Sequence, residues 1–266
     1  MPRLNDSDIA WLREWVQPRH LDDNALAATR SAFERNPLRL LVMRDFFVER
    51  RARELARFMA SEAGFEMHHV ASVDEPDVAS PGTHDGVRTV RVGAEEWASI
   101  PIERRFLRFG IGPGMSGDTP GWREYLQFRD ALRDERFRAF IECNTGCALG
   151  PLMGLSAHAM SSGDLLAPHS DVNPWRQLAF NVYLSPSWSE DWGGDLVVTD
   201  RLGAVTRISP AFNSVVLFDV RAHRSHCVAP IDTGADRASR LSLAGWFLRP
   251  ISRHGTNAAG DTLRPD

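Results

Sequence analysis

The sequence predicts an α+β fold, a β-sandwich or jelly roll with helices packed outside it. Three observations lead there. Apolar residues recur at helical spacing through the first half, short alternating segments fill the second half, and the character of the chain changes at about residue 152. The chain has 266 residues, 43% of them hydrophobic, enough for one large domain or a domain with a helical elaboration. The expected division is a helix-rich elaboration over 1–150, a core over 151–250 and a tail over 251–266.

In the first half, Ser7 is a candidate cap for a helix carrying Ile9, Leu12, Trp15 and Val16 on one stripe. Val48, Leu55 and Met59 recur at the same period. Residues 122–141 read as one long helix or two short ones, with Leu126, Leu132, Phe137 and Phe140 as apolar positions. Residues 71–92, with their Pro, Gly, Asp and Ser, read as an exposed loop.

In the second half, residues 178–184 alternate through Phe180, Val182 and Leu184. Residues 195–199, 214–218 and 241–248 are further strand candidates. Gly193-Gly194, Ser209-Pro210 and Asp232-Thr233-Gly234 separate them. Short strands at this spacing are those of a sandwich or jelly roll.

Composition excludes several classes. The net charge of −4 gives no polyanion-binding surface, and basic residues are scattered, so nucleic acid is not indicated as a partner. No run of eighteen apolar residues spans a membrane. The polar start, Met1 to Asp6, holds no apolar signal core. Cys143, Cys147 and Cys227 are odd in number and lack the partners of a zinc cage, so reduced thiols in a cytoplasmic protein are expected. No motif sets an oligomeric state.

The chemistry concentrates in His169-Ser170-Asp171, His226 and Arg240. Residues i and i+2 of a strand share a face, so His169 and Asp171 can reach one ion if the segment is extended, and Pro168 favours extended backbone just before them. Two imidazoles and a carboxylate form a facial set that leaves coordination positions open, the pattern of non-haem Fe(II) oxygenases, although Mn, Co, Ni or Zn can bind the same atoms. His223 competes with His226 for the third place. His20-Leu21-Asp22 repeats the H-x-D spelling without strand context and reads as a solvated surface pair, and His158 reads as a structural histidine. Arg240 opens an alternating segment in which Arg240, Ser242 and Ala244 share a face. A buried Arg needs a partner, and a dicarboxylate such as 2-oxoglutarate offers a bidentate one.

Residues 161–249 resemble the 2-oxoglutarate/Fe(II) oxygenase superfamily, in its prolyl 4-hydroxylase-like branch. The resemblance runs through Gly163-Asp164-Leu165-Leu166, His169-Ser170-Asp171, Tyr183-Leu184, Gly193-Gly194-Asp195-Leu196, Asn213 to Phe218, Ser225-His226-Cys227-Val228 and Arg240-Leu241-Ser242 with Gly245-Trp246-Phe247. It implies a double-stranded β-helix core. It implies His169, Asp171 and His226 as catalytic Fe(II) ligands and Arg240 as the clamp on the far carboxylate of 2-oxoglutarate, with Tyr183 and Ser242 as further donors. Arg176 falls where relatives place an Arg facing the substrate. Ala159-Met160 and Ala244 depart from the pattern, where relatives often carry a Tyr and a Thr.

The implied activity is a dioxygenase that uses Fe(II), 2-oxoglutarate and O2 to hydroxylate an unactivated C–H bond. The expected substrate is an amino-acid side chain, free, peptidyl or carrier-tethered. Asp171 favours hydroxylation over halogenation, because the related halogenases lack that carboxylate. A small natural-product intermediate, hydroxylated or desaturated, is the alternative substrate. A non-catalytic metal-binding jelly roll, against which the intact triad and Arg240 speak, and a zinc hydrolase, in which Arg240 and Tyr183 have no role, are the rival classes. Trp175, Trp188 and Trp192 flank the expected site.

Overall fold

The computed structural model describes residues 4–74, 87–101, 105–111, 119–232, 234 and 238–250. The expected tail, 251–266, lies outside the described residues. The first half runs α1 (Asp6–Leu12), α2 (Asp23–Arg35), β1 (Leu40–Met43), α3 (Glu49–Ser61), β2 (Phe65–Asp74), β3 (Val87–Arg91), α4 (Ala94–Ser99), β4 (Arg105–Ile111), α5 (Pro120–Arg133) and α6 (Glu135–Thr145). The second half is β5 (Leu152–Met160), β6 (Leu166–His169), β7 (Arg176–Tyr183), β8 (Leu196–Thr199), β9 (Val205–Ile208), β10 (Ser214–Asp219), β11 (Ser225–Val228) and β12 (Arg240–Leu248).

Local chemistry sets the helix ends. Asn5, not Ser7, caps α1. Its side chain accepts from the Asp8 amide while Asp8 reaches back to the Asn5 amide, a reciprocal pair that Ser7 inside the first turn does not form. The helix stops at Leu12, and Val16 instead bridges to Phe47. Asp134 ends α5 and caps α6 through the Arg136 amide, which divides residues 122–141 into two helices.

The stretch expected as a loop over 71–92 is strand at both ends. β2 runs to Asp74 and β3 begins at Val87, paired antiparallel with Val70 opposite Arg91. The β-branched residues Val87, Thr89 and Val90 outweigh the turn formers between the strands. Residues 75–86 lie outside the described residues.

Among the described residues the strands form three antiparallel sheets, ordered β1-β10-β7-β12-β5, β6-β11-β8-β9 and β3-β2-β4. The strand β1, from the first half, is thus an edge of the largest sheet. Alternation gives that sheet two different faces. Leu178, Phe180, Val182, Leu241, Leu243 and Phe247 join one core with Leu55, Phe58, Phe128 and Phe137 of the helices. Phe137 meets Phe180 edge-on at 5.9 Å, and Phe180 meets Phe247 at 5.7 Å. Each such buried aromatic contributes roughly 1.5–3 kcal/mol. On the opposite face, Ala179, Tyr183, Val216 and Phe218 pack against Leu196, Val198 and Ile208 of the four-stranded sheet. The five-stranded sheet is therefore a middle layer: its inner face carries Tyr183, Arg240 and Ser242, while His169 and His226 lie on β6 and β11 of the four-stranded sheet opposite.

Candidate metal centre

The strands β6 and β11 pair antiparallel with His169 directly opposite His226, and the two rings lie 4.2 Å apart between centres. Asp171 follows β6 rather than continuing it. His169 is the last strand residue, and the chain beyond it brings the carboxylate to 3.4 Å from Nε2 of His226. The ligand atoms of His169, Asp171 and His226 all lie within 4.8 Å of one another.

Hydrogen bonds orient each of the three. His169 donates from Nδ1 to its neighbour Ala167 carbonyl at 2.9 Å, so its Nε2 keeps a lone pair. Asp171 accepts from Arg176 Nη1 at 3.0 Å on Oδ1 and from Trp246 Nε1 at 2.8 Å on Oδ2. The Arg176 guanidinium stacks 3.6 Å above the Trp246 ring. Gly154, at φ +64°, makes room for that ring, since a Cβ there would stand 2.8 Å from it. Burial pushes the Asp171 carboxyl up, but attraction to His226, His169 and Arg176 wins and holds it below its ordinary value. Burial and the neighbouring His169 push His226 down to about 3, so it is neutral at physiological pH. A carboxylate and two imidazoles arranged in this way fit a divalent transition metal.

His223 is not in that cluster. Its Nε2 lies 3.0 Å from Nδ1 of His226, on the far side of the ligand ring. The two histidines compete by their closeness in sequence, and three apart in one strand they would face opposite ways. β11 begins only at Ser225, so the rule does not reach residue 223.

Along β12 the inner face carries a second group. Arg240 stands opposite Met160, and Ser242 stands opposite both His158 and Tyr183. Arg240 is 3% exposed. It donates Nε–H to the Gly194 carbonyl at 2.7 Å and points Nη1 at Ser242 Oγ, 3.4 Å away, and at Met160 Sδ, 3.9 Å away. Its guanidinium lies 4.9 Å from the centre of the Tyr183 ring. Burial lowers the Arg240 pKa and raises that of Tyr183. Asp195 reaches Arg240 with its charge but is itself paired with Arg207 at 3.7 Å. Among the described residues Arg240 has no ion-pair partner, which leaves a buried cation with neutral acceptors.

The remaining candidates fall as follows. Arg176 is engaged by Asp171 and Trp246. His158 bonds Ser156 Oγ at 2.9 Å on the inner face. His20 is half-buried against Phe46 rather than solvated, and Asp22 caps α2. Trp175 is 45% exposed, while Trp188 and Trp192 contact each other at 5.4 Å, with Trp188 donating to the Gly193 carbonyl. None of the three cysteines is in a disulfide. Among the described residues no helix is long and apolar enough to cross a membrane.

Residues 155–248 match the profile of the 2OG-Fe(II) oxygenase superfamily. The prolyl 3-hydroxylase OGFOD1 of Mus musculus is 35% identical over 125 residues, covering 45% of this chain and 23% of its own length. The chain thus spans less than a third of the length of the curated relatives it matches, 23% to 28%. Among solved structures, an oxidoreductase of the 2OG-Fe(II) oxygenase family from Burkholderia pseudomallei superposes with a TM-score of 0.54 at 14% identity, over 85% of this chain and 90% of that one. A prolyl hydroxylase from Trichoplax adhaerens, in complex with a hypoxia inducible factor peptide fragment, superposes with a TM-score of 0.52 at 16% identity over the same shares. At these identities the superpositions establish a shared fold.

Proposed function

We propose that this chain, whose residues 155–248 match the 2OG-Fe(II) oxygenase superfamily, is an Fe(II)- and 2-oxoglutarate-dependent dioxygenase that hydroxylates an unactivated C–H bond of an amino-acid side chain. A prolyl residue within a peptide is the first candidate substrate, in line with the named activity of the mouse relative. One observation carries the reading: the ligand atoms of His169, Asp171 and His226 lie within 4.8 Å of one another, and β12, which sends Trp246 to Asp171, also carries the buried Arg240, which has no ion-pair partner among the described residues.

The strand orders support a double-stranded β-helix. From β5 to β12 the chain alternates between the β10-β7-β12-β5 and β6-β11-β8-β9 sheets, with only β8 and β9 as consecutive neighbours. In this reading residues 151–250 form the catalytic core and residues 1–150 an elaboration that also lends it β1. The compartment proposed is the cytoplasm, where cysteines remain reduced.

Each residue then has a task. His169 and His226 present Nε2 and Asp171 an oxygen to Fe(II). Arg240 neutralises the far carboxylate of 2-oxoglutarate, with Ser242 and Tyr183 beside it. Arg176 holds Asp171 ionised, and its exposed edge faces the substrate side with Trp246. When bound, Fe(II) with 2-oxoglutarate and O2 supplies the oxidation, in which one oxygen atom enters the substrate as hydroxyl, the other enters succinate, and CO2 leaves. The protein contributes orientation and a low-dielectric cavity around the reacting carbon.

The test is succinate formation by anaerobically purified protein given Fe(II), 2-oxoglutarate and air, with and without prolyl peptides and free amino acids. Peptide-stimulated succinate with a mass gain of one oxygen on the peptide is expected. Absence of succinate under every condition from iron-loaded protein overturns the proposal.

A further inference from the structure

We propose that His223 is a positioning residue for His226: it holds the His226 imidazole in the tautomer whose Nε2 lone pair faces the metal cluster. This inference rests on the reading of His169, Asp171 and His226 as a metal centre.

The argument follows protons along three groups. The Asp219 carbonyl can only accept, and Nδ1 of His223 lies 3.2 Å from it. Nδ1 of His223 therefore carries the proton of a neutral ring, and its Nε2 is bare. That bare nitrogen lies 3.0 Å from Nδ1 of His226, which must then be the donor. A neutral His226 has one N–H, so its Nε2 is left with a lone pair, directed at Asp171 Oδ2 3.4 Å away. Two acceptor atoms facing each other at that distance repel unless a cation lies between them. The relay thus presets the site for a metal.

The surroundings fix the relay in place. His223 is 3% exposed, and Phe218 meets the His223 ring edge-on at 5.0 Å and the His226 ring at 5.1 Å. The carbonyl that starts the relay belongs to the last residue of β10, held in register opposite Leu178. His169 needs no such aid, because its Nδ1 reaches Ala167 directly. Each ligand histidine is therefore anchored to a backbone carbonyl, one directly and one through a second imidazole. Partners of this kind are worth on the order of 10-fold to 100-fold in metal affinity.

The experiment titrates Co(II) anaerobically into the full chain and two variants, His223→Gln and His223→Phe, and follows the ligand-field absorption. The Gln carbonyl can still accept from His226, whereas Phe fills the space without an acceptor. The Phe variant is expected to lose on the order of 10-fold to 100-fold in Co(II) affinity, with the Gln variant close to wild type. In the Co(II)-loaded wild type and Gln variant, the paramagnetically shifted N–H of His226 resists solvent exchange, and in the Phe variant it exchanges. Undiminished affinity and a protected N–H in the Phe variant overturn the role of His223 alone. Equal losses in both variants also overturn it, because the acceptor would then be irrelevant. A wild type that binds no Co(II) overturns the metal-centre reading and this inference with it.

Discussion

Trp246 donates its indole N–H to Oδ2 of Asp171 at 2.8 Å, and the same ring carries the Arg176 guanidinium that pairs with Oδ1. The carboxylate is gripped from two sides by groups that also grip each other. Trp246→Phe keeps an aromatic surface for Arg176 and removes only the N–H. Co(II) affinity is expected to fall on the order of 10-fold, read by anaerobic titration. Affinity equal to wild type would mean that the indole contributes packing alone.

Acid should weaken the metal-free fold earlier than carboxylate chemistry requires. His226 is held at about 3 in the folded chain against an ordinary value of 6.5, so below pH 6.5 the unfolded chain takes up a proton that the folded chain refuses. The stabilisation is complete above pH 6.5 and is lost as pH falls towards 3, at about 1.4 kcal/mol per pH unit for one such proton. Burial lowers His223 as well, which acts in the same direction. Asp171, also lowered, matters only below its ordinary 3.8. In metal-free buffer Tm should decline from pH 6.5 downwards, and His226→Leu should flatten that decline. A flat wild-type profile between pH 6.5 and about 5 would show that the imidazole is protonated in the folded state.

Much of the β-core was legible because strand alternation is a local signal. Arg240, Ser242 and Ala244 share the inner face, and His169, Asp171 and His226, grouped by their order in the sequence, come within 4.8 Å of one another. What escaped was non-local or non-repetitive. Alternation along β12 puts Trp246 on the same face as Arg240, Ser242 and Ala244, but its hydrogen bond to Asp171 joins residues 75 apart in the chain, which no period reveals. His223 lies in the turn before β11, where neither period applies. The ends of residues 71–92 were misread because turn formers in the middle masked β-branched residues at the edges. The pairing of Arg176 with Asp171 could have been suspected from their closeness in sequence and opposite charge, although loop geometry decides whether such neighbours meet.

Asn213 supplies a test of how the first half is fastened to the core. Its side chain accepts from the Phe47 amide and donates to the Phe47 carbonyl, both at 2.9 Å and both buried. Its backbone holds φ +55°, a conformation Asn tolerates better than most residues. Asn213→Ala leaves two buried backbone groups unpaired and should cost about 2–5 kcal/mol. Asn213→Gly relieves the backbone and should recover only about 1 kcal/mol of that loss. Denaturant unfolding measures both, and a Gly variant as stable as wild type would show that the two hydrogen bonds contribute nothing net.

Arg240 should be a residue whose removal spares the fold while ending cosubstrate binding. Its guanidinium is buried against the Gly194 carbonyl, Ser242 and Met160, all neutral. Burying an ion costs several kcal/mol even after the protein relaxes, and neutral acceptors offset only part of this. Met has a similar reach, carries no charge and would meet Met160 and Ile231, which already form a small apolar cluster there. The opposing term is the Gly194 carbonyl, which loses its donor at about 1–2 kcal/mol. Arg240→Met is therefore expected to unfold at the same temperature as ligand-free wild type or above it. Saturating 2-oxoglutarate should stabilise metal-loaded wild type by about 2.7 kcal/mol at one hundred times Kd, and the variant not at all. Thermal unfolding with and without 2-oxoglutarate separates the two effects. A variant that unfolds well below wild type without ligand would mean that the protein itself satisfies the Arg240 charge. A variant still stabilised by 2-oxoglutarate would place the far carboxylate elsewhere in the cavity.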